Sequence, residues 1–224
     1  DQGVDLSLAG VEPQGFEAME ALIGFCERNG LARLSIDQGL GPETLYEPVP
    51  ATITLSGFPV TFPVGGFLQA TEDGEAALTA SVREAAGDAS RIADLFAGLG
   101  TFALALPGKV YAAEASRDAV LALKRAAPNV AAEHRDLYRR PLDTAELTNF
   151  QAVVLDPPRA GAEEQAKALA ASAVPRIAYV SCNPATFARD AKLLSDGGYR
   201  LEWVRPVGQF RWSTHVELAA AFSR

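Results

Sequence analysis

Tyr179-Val180-Ser181-Cys182-Asn183-Pro184 sets a thiol between the end of an apolar run and the start of a helix. Asn183 suits the cap position and Pro184 the first helical turn. A thiol there faces unpaired backbone N–H groups and the positive helix end, which predicts a lowered pKa and a nucleophile. Val153-Val154-Leu155-Asp156-Pro157-Pro158-Arg159 stops a buried strand at two prolines and so presents the Asp156 carboxylate at a sheet edge. A strand end plus turn is the simpler reading of that segment. In Ser213-Thr214-His215-Val216-Glu217-Leu218, Glu217 opens an apolar strand, where a carboxylate is costly to desolvate without a partner or a purpose. It reads as a functional carboxylate or as half of a salt bridge, with His215 on the same face to position it. The other cysteine, Cys26, shares an apolar helix face with Phe16, Met19, Leu22 and Ile23 and reads as a buried small hydrophobe.

A fourth segment concerns a ligand. Asp94-Leu95-Phe96-Ala97-Gly98-Leu99-Gly100-Thr101-Phe102 runs a strand into a glycine turn. Gly98 and Gly100 let the backbone bend sharply and approach a ligand without Cβ interference. The next strand ends at Glu114, whose carboxylate can accept hydrogen bonds from both ribose hydroxyls of an adenosine cofactor. Nicotinamide enzymes share the glycine spelling, and a plain tight turn would also use it. A short turn without a basic residue to offset a pyrophosphate, with Asp94 four residues ahead of Gly98, fits a sulfonium nucleoside better than a dinucleotide.

These groups need a scaffold. From about residue 67 strands alternate with helices: helix 75–86, strand 91–96, helix 101–106, strand 109–114, helix 117–127, strand 152–156, helix 163–172, strand 177–181 and helix 184–196. Strands 200–206 and 215–222 close the chain without a helix between them, which predicts an antiparallel hairpin at the sheet end. The pattern is α/β, a doubly wound, mostly parallel sheet with ligands at the carboxyl ends of its strands. Residues 1–65 are mixed, with strands at 5–8, 31–36 and 44–46, a helix at 15–28 and a hairpin within 51–62. Gly65-Gly66 marks the boundary between this small α+β piece and a second domain, 66–224.

Composition narrows the class. The 224 residues are 48% hydrophobic and 21% charged, which excludes collagen, coiled-coil and disordered chains. No apolar run reaches the roughly 18 residues of a membrane span. Two cysteines are too few for a multi-disulfide scaffold or an all-cysteine metal site, so no metal and a reducing, cytoplasmic setting are expected. The net charge of -8 is uneven: residues 1–80 hold 12 acids against 2 bases, residues 81–224 hold 16 against 18. The larger part is therefore near neutral and offers no charge argument for nucleic acid. The chain opens at Asp1-Gln2-Gly3 without a methionine or signal peptide and reads as a fragment of a longer protein.

Phe67-Leu68-Gln69 and the segments 94–102, 156–161, 181–190 and 215–217 stand in the order carried by the S-adenosylmethionine-dependent RNA uracil-C5 methyltransferases. The chain resembles that family strongly over about residues 66–224, and residues 1–65 resemble the end of its central domain. The resemblance implies a Rossmann-like methyltransferase fold, S-adenosyl-L-methionine as cofactor, and an RNA substrate, ribosomal ahead of transfer RNA, acted on by a monomer. It implies Cys182 as the nucleophile that adds to uracil C6, Glu217 as the base that removes the C5 proton, and Asp156 close to the base. By the same resemblance Gln69, Phe96, Thr101, Glu114, Asp136 and Asp156 contact the methyl donor, beside Gly98 and Gly100. The family often has Asp and Pro where this chain has Gly208 and Arg211, and Asn where it has Thr101. In the family an RNA-binding barrel and, in some members, an iron–sulfur cluster precede this region. A cytosine-C5 RNA methyltransferase, a nicotinamide oxidoreductase and a fragment that holds cofactor without turnover are the competing readings.

Overall fold

Apolar alternation in the first third builds β1 (Val4–Ala9), α1 (Gly15–Asn29), β2 (Leu31–Asp37) and β3 (Pro42–Tyr46), then β4 (Thr52–Leu55) and β5 (Phe58–Thr61). These are the elements of residues 1–67, the first of two compact units in a computed structural model that describes all 224 residues. β1 and β2 run parallel with α1 as crossover, β3 returns antiparallel, and β4 and β5 form a separate hairpin. The hairpin turns through Ser56 (φ 49) and Gly57 (φ 85), the backbone that a two-residue turn with the twist of its strands requires. Arg33 is buried and held by the Asp5 carboxylate at both oxygens and by the Phe62 carbonyl, so its charge is compensated. Cys26 is fully buried as its helix face implied, whereas Phe16, expected on that face, lies in the first turn of α1 and is 79% exposed.

The second unit, residues 68–224, contains α2 (Glu72–Ala86), β6 (Arg91–Leu95), β7 (Lys109–Glu114), α3 (Arg117–Ala126), β8 (Ala131–His134) and α4 (Thr144–Leu147). It continues with β9 (Ala152–Leu155), α5 (Glu163–Ala170), β10 (Arg176–Ser181), α6 (Pro184–Asp196), β11 (Arg200–Val207) and β12 (Glu217–Ser223). Seven strands form one sheet in the order β11-β12-β10-β9-β6-β7-β8. All neighbours are parallel except β12, which runs antiparallel to both β10 and β11. The closing pair is thus a hairpin as expected, with β12 tucked inside and β11 at the edge. The sheet's buried residues, among them Val153, Leu155, Ile177, Tyr179 and Phe222, form its core together with Leu169 and Leu194 of the covering helices. Strand order reverses between β6 and β9, and the carboxyl ends at such a reversal are where open sheets of this kind bind ligands.

Several expected boundaries moved. α2 begins at Glu72, because the Thr71 hydroxyl caps it by accepting from the Gly74 N–H at 3.1 Å. No helix forms over 101–106. Gly100 N donates to Ala97 O and Leu104 N to Gly100 O, while Ala105 N and Leu106 N both donate to Phe102 O. Three- and four-residue closures alternate there, and Pro107 denies the segment another turn. β8 and α4 escaped the sequence reading. β8 is Ala-Ala-Glu-His, without an apolar run, and α4 is one turn whose only signal is the Asp143–Glu146 capping box. No helix is long and apolar enough to cross a membrane.

Candidate active site

Strand register lines up the chemical groups. Ser181 pairs with Leu218 across β10 and β12, so one further step sets Cys182 opposite Glu217, on one face of the sheet. Tyr179 pairs with Leu155, and Leu95 with both Leu155 and Ala113. Asp156, Phe96 and Glu114 therefore follow at the carboxyl ends of β9, β6 and β7. Glu114 pairs with His134 of β8, and Asp136 lies two residues beyond. Asp136, Glu114, Phe96, Asp156, Cys182 and Glu217 thus occupy a single edge, each supplied by a different strand.

The glycine turn is built around Glu114. One carboxylate oxygen accepts from the Gly98 N–H at 2.9 Å and the other from the Ser116 N–H at 2.6 Å, which fixes the group with lone pairs to spare. Gly98 (φ 54) faces open space, and an added Cβ would meet nothing within 4 Å. Gly100 (φ 94) is glycine for another reason: a Cβ would lie 2.6 Å from Leu123. Phe96 adopts φ 65, a left-handed conformation that L-residues with side chains rarely hold, and packs on Tyr138 at 5.6 Å. Thr101 is half-buried within the turn. Beneath it Asp94 is 0% exposed, and neither of its carboxyl oxygens finds a hydrogen-bond partner. Burial, then the negative charge of Asp156, pushes Asp94 up to about 8. The Ala103 N–H opposes the shift without reaching hydrogen-bonding geometry. In the sequence Asp94 stands out only for its spacing from Gly98; its burial between two other acids arises where β7 and β9 flank β6.

Gln69 and Asp136 are not drawn into the turn. Gln69 Oε1 accepts from Gln209 Nε2 at 2.8 Å, beside the start of α2. Asp136 Oδ1 accepts from the N–H groups of Tyr138 and Arg139, closing its own local turn.

Cys182 is half-buried just ahead of the α6 cap, where Asn183 Oδ1 accepts from Ala185 N at 3.1 Å. A helix mouth alone predicts a lowered thiol pKa; instead it is raised. Burial is the largest cause, followed by the Glu217 carboxylate, and Asp156 adds to both, while the Arg159 guanidinium pulls the other way. A helix end carries about half a charge, which two facing carboxylates and desolvation outweigh. Asp156 is itself pushed up to about 7 by burial and then by Glu217. Glu217 is 8% exposed and meets His215 Nε2 at 3.2 Å, the positioning contact that its place on the strand suggested.

The loop that carries Asp156 and Arg159 is bolted to α6. Asn183 Nδ2 and Thr186 Oγ1 donate to Arg159 O, Arg189 Nη2 donates to Ala160 O, and Tyr138 OH donates to Gly161 O. Fully buried Asp190 accepts from Ala162 N at 2.7 Å and from Tyr179 OH at 2.6 Å. Gly161 (φ 78) is where loop and helix meet, and a Cβ there would lie 2.6 Å from Arg189 and 2.7 Å from Asp190. Gly161→Ala is expected to destabilise the second unit by about 1–3 kcal/mol, read as an earlier urea midpoint at unchanged slope. An unchanged midpoint would show that the loop relaxes without cost.

A mostly parallel seven-stranded sheet of this order, with its glycine turn after the first strand of the unit, defines a Rossmann-like methyltransferase fold. The Pyrococcus abyssi tRNA (uracil-54, C5)-methyltransferase, solved with S-adenosyl-L-homocysteine, matches at a TM-score of 0.74 and 25% identity, over 86% of this chain and 50% of that one. M. jannaschii TYW2, solved with AdoMet, matches in fold at a TM-score of 0.61 and 18% identity, over 87% of this chain and 94% of that one. Residues 128–224 match the model of the tRNA (uracil-5-)-methyltransferase family. An RNA methyltransferase of Zymomonas mobilis is 56% identical over 100% of this chain and 58% of its own length. One from Agrobacterium fabrum is 47% identical over 99% of this chain and 55% of its own. A 23S rRNA (uracil(1939)-C(5))-methyltransferase of Pseudomonas fluorescens is 42% identical over 59% of this chain and 31% of its own. The chain spans a little over half the length of the first two relatives.

Proposed function

We propose that this chain is the catalytic portion of a cytoplasmic enzyme that methylates C5 of a uridine in ribosomal RNA, using S-adenosyl-L-methionine. The observation that carries the reading is the register that sets Cys182 opposite Glu217 with Asp156 on the neighbouring strand end. The residues fit the cofactor: open space over Gly98, an immobilised Glu114 carboxylate for the ribose hydroxyls, and two acids, the buried Asp94 and the half-buried Asp156, at the strand ends that would face a cation. When bound, S-adenosyl-L-methionine supplies an electrophilic methyl group to C5. Phe96, Thr101, Gly100, Gln69 and Asp136 belong to the surround of that site in this reading.

Uracil C5 is a poor nucleophile until C6 is attacked. Cys182 Sγ bonds to C6, and the C5–C6 π pair moves onto the C4 carbonyl as an enolate. Asp156, half-protonated near neutrality, can donate a hydrogen bond to a uracil carbonyl. After C5 is methylated, Glu217 takes the C5 proton, the C5–C6 double bond re-forms and Cys182 leaves as thiolate. The target base must be unstacked to reach this edge.

Ribosomal RNA is favoured because, of the two uracil-C5 methyltransferases compared above, the Pseudomonas fluorescens relative is the more similar, at 42% against 25% identity. The test is methyl transfer from labelled cofactor to 23S rRNA and to tRNA transcripts, with the product nucleoside identified by mass spectrometry. 5-Methyluridine in the ribosomal transcript is expected. A different methylated base would sink the reading, and modification of tRNA alone would move the substrate.

A further inference from the structure

The segment joining β11 to β12 holds side chains that the chemistry above leaves unused. Its two ends are anchored. Gln209 is buried, accepts from Thr71 N at 3.2 Å and donates to Gln69 at 2.8 Å, in space that Gly74 of α2 keeps free. At the other end the His215 ring meets Phe210 edge-on at 5.1 Å while its Nε2 holds Glu217. Between these anchors Trp212 is 98% exposed, and its neighbour Arg211 is exposed and forms no ion pair. The chain's other tryptophan, Trp203, is instead covered by the Arg205 guanidinium at 4.5 Å.

We infer that Trp212 is a stacking platform for an unpaired nucleobase of the RNA next to the target uridine, with Arg211 on a flanking phosphate. The inference rests on the proposed methyltransferase reading of the same site. A fully hydrated indole beside a free guanidinium offers a π-face and a charge, the pair that single-stranded nucleic acid recognition uses. Residues 203–216 contain no acid in a chain of net charge -8, which suits a polyanion. Trp212 lies five positions before Glu217, so its Cα is within about 18 Å of that of Glu217 at the catalytic edge, the reach of the next few nucleotides. Splaying the uridine out leaves its neighbours unstacked and in want of a new face. Gln209 and the Phe210–His215–Glu217 chain fix the base of the loop, so contact at its tip bears on where Glu217 is held.

The test uses the full chain carrying Trp203→Phe, in which Trp212 is the sole indole. Titration with a single-stranded RNA oligonucleotide containing 5-fluorouridine is expected to quench its fluorescence. Trp212→Ala should weaken that RNA about 5- to 100-fold while leaving thermal stability and S-adenosyl-L-methionine affinity unchanged, and Trp212→Phe should recover most of the loss. Arg211→Ala should lower the slope of log affinity against log salt by about one. Unchanged fluorescence on RNA binding, or full affinity in Trp212→Ala, overturns the inference. If the wild-type chain still forms its covalent adduct in that case, the methyltransferase reading survives. If the wild-type chain neither binds RNA nor forms an adduct, both fall together.

Discussion

Cys182→Ser is expected to lower methyl transfer by about four orders of magnitude or more, with cofactor affinity and fold intact. Serine keeps the shape and the hydrogen bonding of the helix mouth, but its hydroxyl ionises far less readily than a thiol. Its surroundings make matters worse. Burial and the Glu217 and Asp156 carboxylates already push the Cys182 thiol above its usual value, with only Arg159 opposing, and they would disfavour an alkoxide far more. Incubation with 5-fluorouridine RNA and S-adenosyl-L-methionine should trap a covalent complex with the wild-type chain, because the methylated C5 then carries fluorine in place of the proton that elimination requires, and none with Cys182→Ser. The same electrostatics set a pH dependence. A thiol titrating above its ordinary value is mostly protonated at neutrality, so the rate of adduct formation should climb with each step from pH 7 towards 9. Alkylation of Cys182 by iodoacetamide in the free protein should climb in parallel. A trapped adduct in Cys182→Ser would remove the nucleophile assignment. A rate flat from pH 6 upward would show that Arg159 and the helix end prevail after all.

What could be read from the sequence divides along a physical line. β9 and β10 are buried on both faces, so their apolar runs and the Pro-Pro and Asn-Pro stops were legible, and with them the places of Asp156 and Cys182. α6 announced itself through its cap and first-turn proline. β8 was invisible because a four-residue edge strand of Ala, Glu and His has no alternation to detect. The 101–106 segment has helical composition, yet Gly100 in a left-handed conformation and Pro107 break its ladder into turns, which local propensity does not register. The thiol's raised pKa is hidden from the sequence for a different reason. Helix position is local and can be read from Asn183-Pro184, but the opposing carboxylates arrive from β9 and β12, 26 and 35 residues away. Electrostatic sums over strands that meet only in the sheet are the part that spacing along a chain conveys least.

Asp94→Asn is expected to stabilise the cofactor-free protein at neutral and mildly alkaline pH, and to do so by an amount that vanishes in acid. In the folded chain Asp94 is sealed at the end of β6 with no hydrogen bond to either oxygen and with Asp156 and Glu114 nearby, which holds its pKa up at about 8. In the unfolded chain it returns to about 3.9. Between those values the unfolded state has released a proton that the folded state keeps. Stability is therefore complete below about pH 4, falls as pH rises, and stops falling only above about pH 8. The full loss is on the order of 5 kcal/mol, and asparagine, neutral throughout, does not incur it. For a chain of this size that corresponds to a melting temperature roughly 10 °C above wild type at pH 8, with near coincidence at pH 4. Part of the slope should persist in the variant, because Asp156, pushed up to about 7, acts with the same sign. Thermal unfolding followed by circular dichroism from pH 4 to 9 checks this directly. Parallel curves for the two proteins would mean that Asp94 is ionised in the fold, stabilised by a partner such as a buried water, and that the crevice below the glycine turn is wetter than its side chains imply.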